Sequence, residues 1–98
     1  MRTDPGQSHV SEAAIRLADL GSDRDLPGDL NETRICYWRS PTQWWIYLPR
    51  AGIGPLTNHT VVEHEDRTIT VTPSIAQGPA GKPWVRHGFL TRGEWRDV

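Results

Sequence analysis

The densest group of side chains able to do chemistry runs from His59 to Asp66, where His59, Glu63, His64, Glu65 and Asp66 are all metal-ligand types. A zinc site needs three or four such donors converging on one point. The stretch is β-branched around Val61 and Val62 and reads as a strand, in which side chains alternate between faces. His59 and Glu63 then share one face and His64 takes the other, which divides the set. The His-Glu-x-x-His spacing of a zinc-protease helix is absent. His59, Glu63 and His64 remain the metal candidates of the chain, but a solvated hairpin tip is the expected role and no cofactor is called for. His9 and His87 add no donor by spacing.

The nucleophiles give no catalytic pattern. Cys36, the single cysteine, lies between Ile35 and Tyr37 without the helix N-terminus or cation that lowers a thiol pKa, so a buried structural thiol is expected. It also excludes an internal disulfide. Ser74 follows Pro73 with no Gly-x-Ser-x-Gly around it. Gly52-Ile53-Gly54 is too short and too closely bounded by proline for a phosphate loop. Asn31-Glu32-Thr33 and Asn58-His59-Thr60 match the glycosylation pattern, which carries weight only behind a secretory signal. The first thirty residues show no apolar signal core. An enzyme is therefore not the expected reading.

The aromatic residues say more. Five tryptophans and ten arginines against one lysine, Lys82, fit either a GC-rich genome or guanidinium–indole stacking. Trp38-Arg39, Trp84-Val85-Arg86 and Trp95-Arg96 are the pairs that sequence proximity suggests. In the run Gln43-Trp44-Trp45-Ile46-Tyr47-Leu48, alternation puts Trp44, Ile46 and Leu48 on the more aliphatic face, which is the expected core side. Trp45 and Tyr47 fall on the other face. With Arg50 close behind, they form the expected binding surface, since Trp, Tyr and Arg are the commonest interface anchors.

The elements that position these residues are short. Residues 1–10 are expected to be a mobile tail. Residues 11–21 read as a short amphipathic helix: Ser11 is a good N-cap, Gly21 a good C′ residue, and Val10, Ala13, Leu17 and Leu20 fall on one stripe. Residues 22–32 read as an acidic linker, with Asp23, Asp25, Asp29 and Glu32 against Arg24 and a turn at Pro27-Gly28. It is a solvated segment or a docking segment for a basic partner. Residues 33–98 read as one β-rich domain of about five or six strands, grouped by hairpins at Ser40-Pro41-Thr42 and Glu65-Asp66-Arg67. Ala51 to Pro55 is expected to be a turn, and Pro73-Ser74-Ile75 to end a strand whose Ile69 and Val71 face inward. The predicted fold class is mostly β (α+β): a small antiparallel meander, sheet or partly open barrel with one N-terminal helix.

A length of 98 residues suits a single core, and a formal charge of −1 argues against a nucleic-acid partner held by bulk attraction. No apolar run approaches the roughly 20 residues of a membrane helix. The segments Thr68-Ile69-Thr70-Val71-Thr72-Pro73-Ser74-Ile75 and His87-Gly88-Phe89-Leu90-Thr91-Arg92-Gly93-Glu94-Trp95-Arg96 resemble a small uncharacterised domain of actinobacteria and their bacteriophages. Trp45-Ile46-Tyr47-Leu48-Pro49 and Glu63-His64-Glu65-Asp66 fit the same type. The resemblance spans roughly the last sixty residues and implies no activity. Some related sequences carry extra Cys and His that suggest a metal; those cysteines are missing here, so no metal is carried over. The expectation is a non-enzymatic small binding protein, phage-encoded and cytoplasmic, acting on a host or virion macromolecule, with a protein as the expected partner. A metal-dependent small enzyme or metal-binding protein, and a self-associating structural protein, are the alternatives.

Overall fold

The computed structural model describes residues 11–78 and 86–98. The expected N-terminal tail lies outside them, as do Trp84 and Val85. Among the described residues nine strands follow in chain order: β1 (Ser11–Ala13), β2 (Ile15–Arg16), β3 (Cys36–Arg39), β4 (Trp44–Leu48), β5 (Gly52–Pro55), β6 (Thr60–Glu63), β7 (Ile69–Gln77), β8 (Arg86–Thr91) and β9 (Glu94–Asp97). They form a five-stranded sheet, β1-β9-β8-β7-β6, and a four-stranded sheet, β2-β3-β4-β5. All neighbours are antiparallel except β2 and β3. The protein is mostly β, and the two sheets do not close into a barrel.

Alternation explains how the sheets pack. Ile69, Val71 and Ile75 on β7, Leu90 on β8 and Trp95 on β9 point to one side. Tyr37 on β3 and Ile46 and Leu48 on β4 meet them from the other sheet, with Ile35 just before β3. One apolar core thus lies between two sheets, as the removal of apolar surface from water demands. The four-stranded sheet has a second buried face. There Cys36 and Trp38 are covered by Leu17, with Ile15, Leu20, Leu30, Trp45 and Tyr47 packed around them. This is why Cys36-Tyr37-Trp38 shows no polar alternation: all three are buried.

Four expectations need correction. Residues 11–21 are not a helix but two strands followed by a loop. A single short helix is marginal in water, whereas two open sheet edges offer this segment partners. The Ala14 amide donates to Gly93 O at 2.8 Å, Ile15 to Ile35 O at 2.8 Å, Leu17 to Tyr37 O at 2.9 Å and Leu20 to Arg39 O at 2.9 Å. Residues 22–32 are a loop, yet not a detached linker: Pro27 is buried and Leu30 packs on the four-stranded sheet. Residues 52–55 are not a turn but the edge strand β5, where Pro55 is tolerated because no further strand needs its amide. Pro73 does not end β7. It sits inside an irregularity of the β7–β8 register between Val71 and Ile75, and the strand continues to Gln77.

Candidate functional site

The expected binding trio sits on the outer side of the four-stranded sheet. Trp45 lies opposite Trp38, and Tyr47 opposite Cys36. Both are half-buried, and both polar tips are engaged within the chain. Trp45 Nε1–H donates to Ser40 Oγ at 2.8 Å, and Tyr47 O–H donates to Glu32 O at 2.9 Å. Burial pushes the Tyr47 hydroxyl pKa up. The cover comes from Leu17, Leu20 and Leu30 of the 17–32 segment rather than from a helix. Arg50 stands exposed in the turn after β4 with φ 72°. The fold therefore brings Trp45 and Tyr47 together on one face, with Arg50 one turn beyond.

The three metal candidates are each drawn to different partners. His59 Nε2 meets Ser74 O at 3.1 Å; a carbonyl only accepts, so this nitrogen carries the hydrogen. His64 Nε2 meets Thr70 Oγ1 at 2.7 Å, and Glu63 accepts from Arg16 and Arg39. Among the described residues no three His, Cys, Asp or Glu converge as a metal would need. Cys36 is buried, its thiol aimed at Asn31 O at 3.6 Å and Arg34 O at 3.5 Å. Desolvation pushes its pKa up. Ser74 Oγ lies 2.9 Å from His87 Nε2, but among the described residues no carboxylate orients that imidazole.

Arginine does stack on indole, though across strands rather than along the sequence. Arg16 and Arg39 lie 4.8 and 5.3 Å from the Trp44 ring centre, and Arg86 lies 5.9 Å from that of Trp95. Neighbours in a strand face opposite ways, so Trp38-Arg39 and Trp95-Arg96 could not pair. Around Trp44 the charges form a closed square. Arg16 bonds Asp19 at 2.8 Å and Glu63 at 2.9 Å, and Arg39 bonds the same two carboxylates at 3.0 and 3.2 Å. Hydrogen bonds from Arg16 pull both carboxyl pKa values down. For Arg16 itself, burial opposes the charge, but the bonds to Asp19 and Glu63 outweigh it and raise the pKa. Glu63 belongs to the five-stranded sheet and the arginines to the other, so the square ties the layers together.

The outer face of the five-stranded sheet is different: Thr70 and His87 are hydrogen-bonded there, but the side chains of Arg92 and Arg96 are not. Strand pairing aligns Ser11, Arg96 and Phe89 in one cross-strand row, and Ala13, Glu94 and Thr91 in the next. The Val98 amide donates to His87 O at 3.0 Å, which extends the face by one more row. Thr70 and Thr72 of β7 lie opposite Val62 and Thr60 of β6. Five large apolar side chains are exposed among the described residues, and three of them, Val62, Phe89 and Val98, lie on this face. A shallow depression of about 440 Å³ beside Phe89 is lined by Ser11, Thr91, Arg92, Glu94 and Arg96. Neither guanidinium has a hydrogen-bond or ion-pair partner among the described residues, although Arg92 also borders the acidic β6–β7 tip at Asp66. Sequence reasoning missed Phe89, Arg92 and Arg96. The signal was present, since an inward Leu90 forces Phe89 outward.

The β8–β9 hairpin that carries this face is specified locally. Arg92 (φ 46°) and Gly93 (φ 77°) both take positive φ, the requirement of a two-residue type I′ turn. Gly88 leaves the space into which the Trp95 indole lies against β8. No family model matches the chain, and no curated protein and no solved structure matches it either.

Proposed function

We propose that the chain is a small binding protein without catalytic activity, and that it takes a protein partner on the outer face of its five-stranded sheet, centred on Phe89. One observation carries this reading. An exposed aromatic side chain sits between two unpaired guanidiniums, on the face that holds three of the five exposed large apolar residues of the described chain. Exposed apolar side chains accompanied by arginine are the make-up of interface centres. The surplus positive charge beside Phe89 favours an acidic partner surface. Trp45 and Tyr47 serve instead to hold the 17–32 segment on the sheet, with the exposed Ile53 opposite Tyr47 on β5.

The test compares the wild type with Phe89→Ala and Arg96→Glu as bait in host lysate. Captured protein is identified by mass spectrometry and its affinity for each purified bait is then measured. An anchor residue lost to alanine should cost about 2 kcal/mol or more of affinity. Capture that survives both substitutions but is lost in Trp45→Ala would move the site to the other sheet.

A further inference from the structure

We infer that the partner of this face is the acidic 23–32 loop of a second copy of the same chain, so that the protein associates head to tail. The inference rests on the proposal that the Phe89 face is a binding surface, and it names what occupies that surface. The largest exposed apolar side chain in fractional terms among the described residues is not on the sheet at all. It is Leu26, 73% exposed, on the loop that links β2 to β3.

The two features are complementary in charge, and each carries one exposed apolar side chain, Leu26 on the loop and Phe89 on the face. The loop is held at its base: Asp23 accepts from Ser40 Oγ and from the Thr42 amide and hydroxyl, and Leu30 is tucked onto the sheet. This leaves Asp25, Leu26, Gly28 and Asp29 presented outward around a buried Pro27. Asp25, Asp29 and Glu32 have no side-chain hydrogen bond or ion pair among the described residues, and the only basic residue of the loop is Arg24. The face offers the converse: a shallow depression of about 440 Å³ in which Phe89 is the one apolar lining residue, with Arg92 and Arg96 outnumbering the single acid, Glu94. Leu26 is the knob, Phe89 the floor, and the flanking aspartates meet the flanking arginines.

Position in the fold decides the kind of assembly. The loop covers the outer side of the four-stranded sheet, while Phe89 faces out from the five-stranded sheet. Knob and socket are thus on opposite sides of the two-layer molecule, and one molecule cannot satisfy itself. Because loop and face look in opposite directions, two copies cannot exchange both contacts at once, so the contact is heterologous and builds a ring or an open chain rather than a two-fold dimer.

Sedimentation velocity of the full chain over a wide concentration range is the test. The weight-average sedimentation coefficient should rise with concentration and fall back on adding salt, because the pairs are exposed and screened. Asp25→Arg with Asp29→Arg, and separately Arg92→Glu with Arg96→Glu, should each give a monomer with an unchanged melting temperature. In the first variant loop and face are both positive, and in the second both are negative. An equimolar mixture should therefore associate again, each loop finding the other's face. Leu26→Ala and Phe89→Ala should weaken assembly to a similar extent and not add when combined. A wild-type chain that stays monomeric at every concentration overturns the inference, as does a mixture that fails to re-associate. In either case the binding-surface proposal survives if Phe89→Ala still abolishes capture of a foreign protein. If it does not, that proposal fails separately.

Discussion

Two residues show how tightly this small core is specified. A methyl group added at Gly88 would lie 2.5 Å from the Arg96 carbonyl oxygen and 2.5 Å from the Trp95 ring. Both neighbours are constrained, one by the β8–β9 ladder and the other by the core, so neither can yield cheaply. Gly88→Ala should lower stability by about 1–3 kcal/mol, the range of an overpacked core. Denaturant melts of the variant check this; an unchanged midpoint would mean that the indole is free to move. Cys36 makes the complementary point about reactivity. Its thiol is fully buried and its pKa is raised by desolvation, so the nucleophilic thiolate is scarce at neutral pH. Labelling by a thiol reagent should be slow in the native protein and fast in denaturant. Rapid native labelling would show that the 17–32 cover opens readily.

Strands were legible in the sequence wherever period-two alternation had a nearby partner. β3 with β4 and β6 with β7 are the hairpins expected at residues 40–42 and 65–67, and their inward residues Ile46, Ile69 and Val71 follow from pattern alone. β1 and β2 were not legible, because Ser11, Gly21 and a stripe of small apolar residues imitate a capped helix. The partners that decide the matter, Trp95 and Cys36, are far away in sequence. β5 was hidden by the same residues that make it an edge: Gly52, Gly54 and Pro55 have turn chemistry, and only pairing with β4 reveals a strand. The candidate site suffered likewise. Trp45 and Tyr47 could be assigned to one face, but that Leu17 and Leu30 return to cover that face is a long-range fact. The N-terminal strands supply a test at this scale. Ala14→Pro removes the amide that donates to Gly93 O and leaves that buried carbonyl unpaired, which should cost about 1–3 kcal/mol. A helix starting near Ser11 would instead tolerate proline best in its first turn. If Ala14→Pro left stability unchanged, the pairing of β1 and β2 would be wrong.

At the scale of the whole molecule, what joins the two sheets is apolar packing within and a charge square at one margin. The core alone does not fix how the layers slide, because apolar contact is not directional. Direction comes from Arg16 and Arg39, which grip Asp19 and Glu63 over the Trp44 ring, and from Gln77 Nε2, which donates to Gly52 O across the layers. The square makes stability depend on pH with a definite sign. Asp19 and Glu63 have ordinary values of 3.8 and 4.5, and in the folded chain both are pulled lower, first by hydrogen bonds from Arg16. In acid the unfolded chain then binds protons more readily than the folded one, so stability rises with pH through this window. The contribution is complete above the ordinary values and fades as pH falls through the depressed ones. The melting temperature should therefore drop as pH is lowered from about 6 to about 3. The decline should persist in part without the square, because Ser40 and Thr42 depress Asp23, and Thr68 depresses Asp66, in the same direction. Asp19→Asn combined with Glu63→Gln should start from a lower melting temperature at neutral pH, fall less steeply, and approach the wild type in acid. Added salt should shrink the difference between the two proteins, since these carboxylates are partly exposed to solvent. Parallel curves across the whole range would mean that the ring of charges sits at the margin without holding the sheets in register.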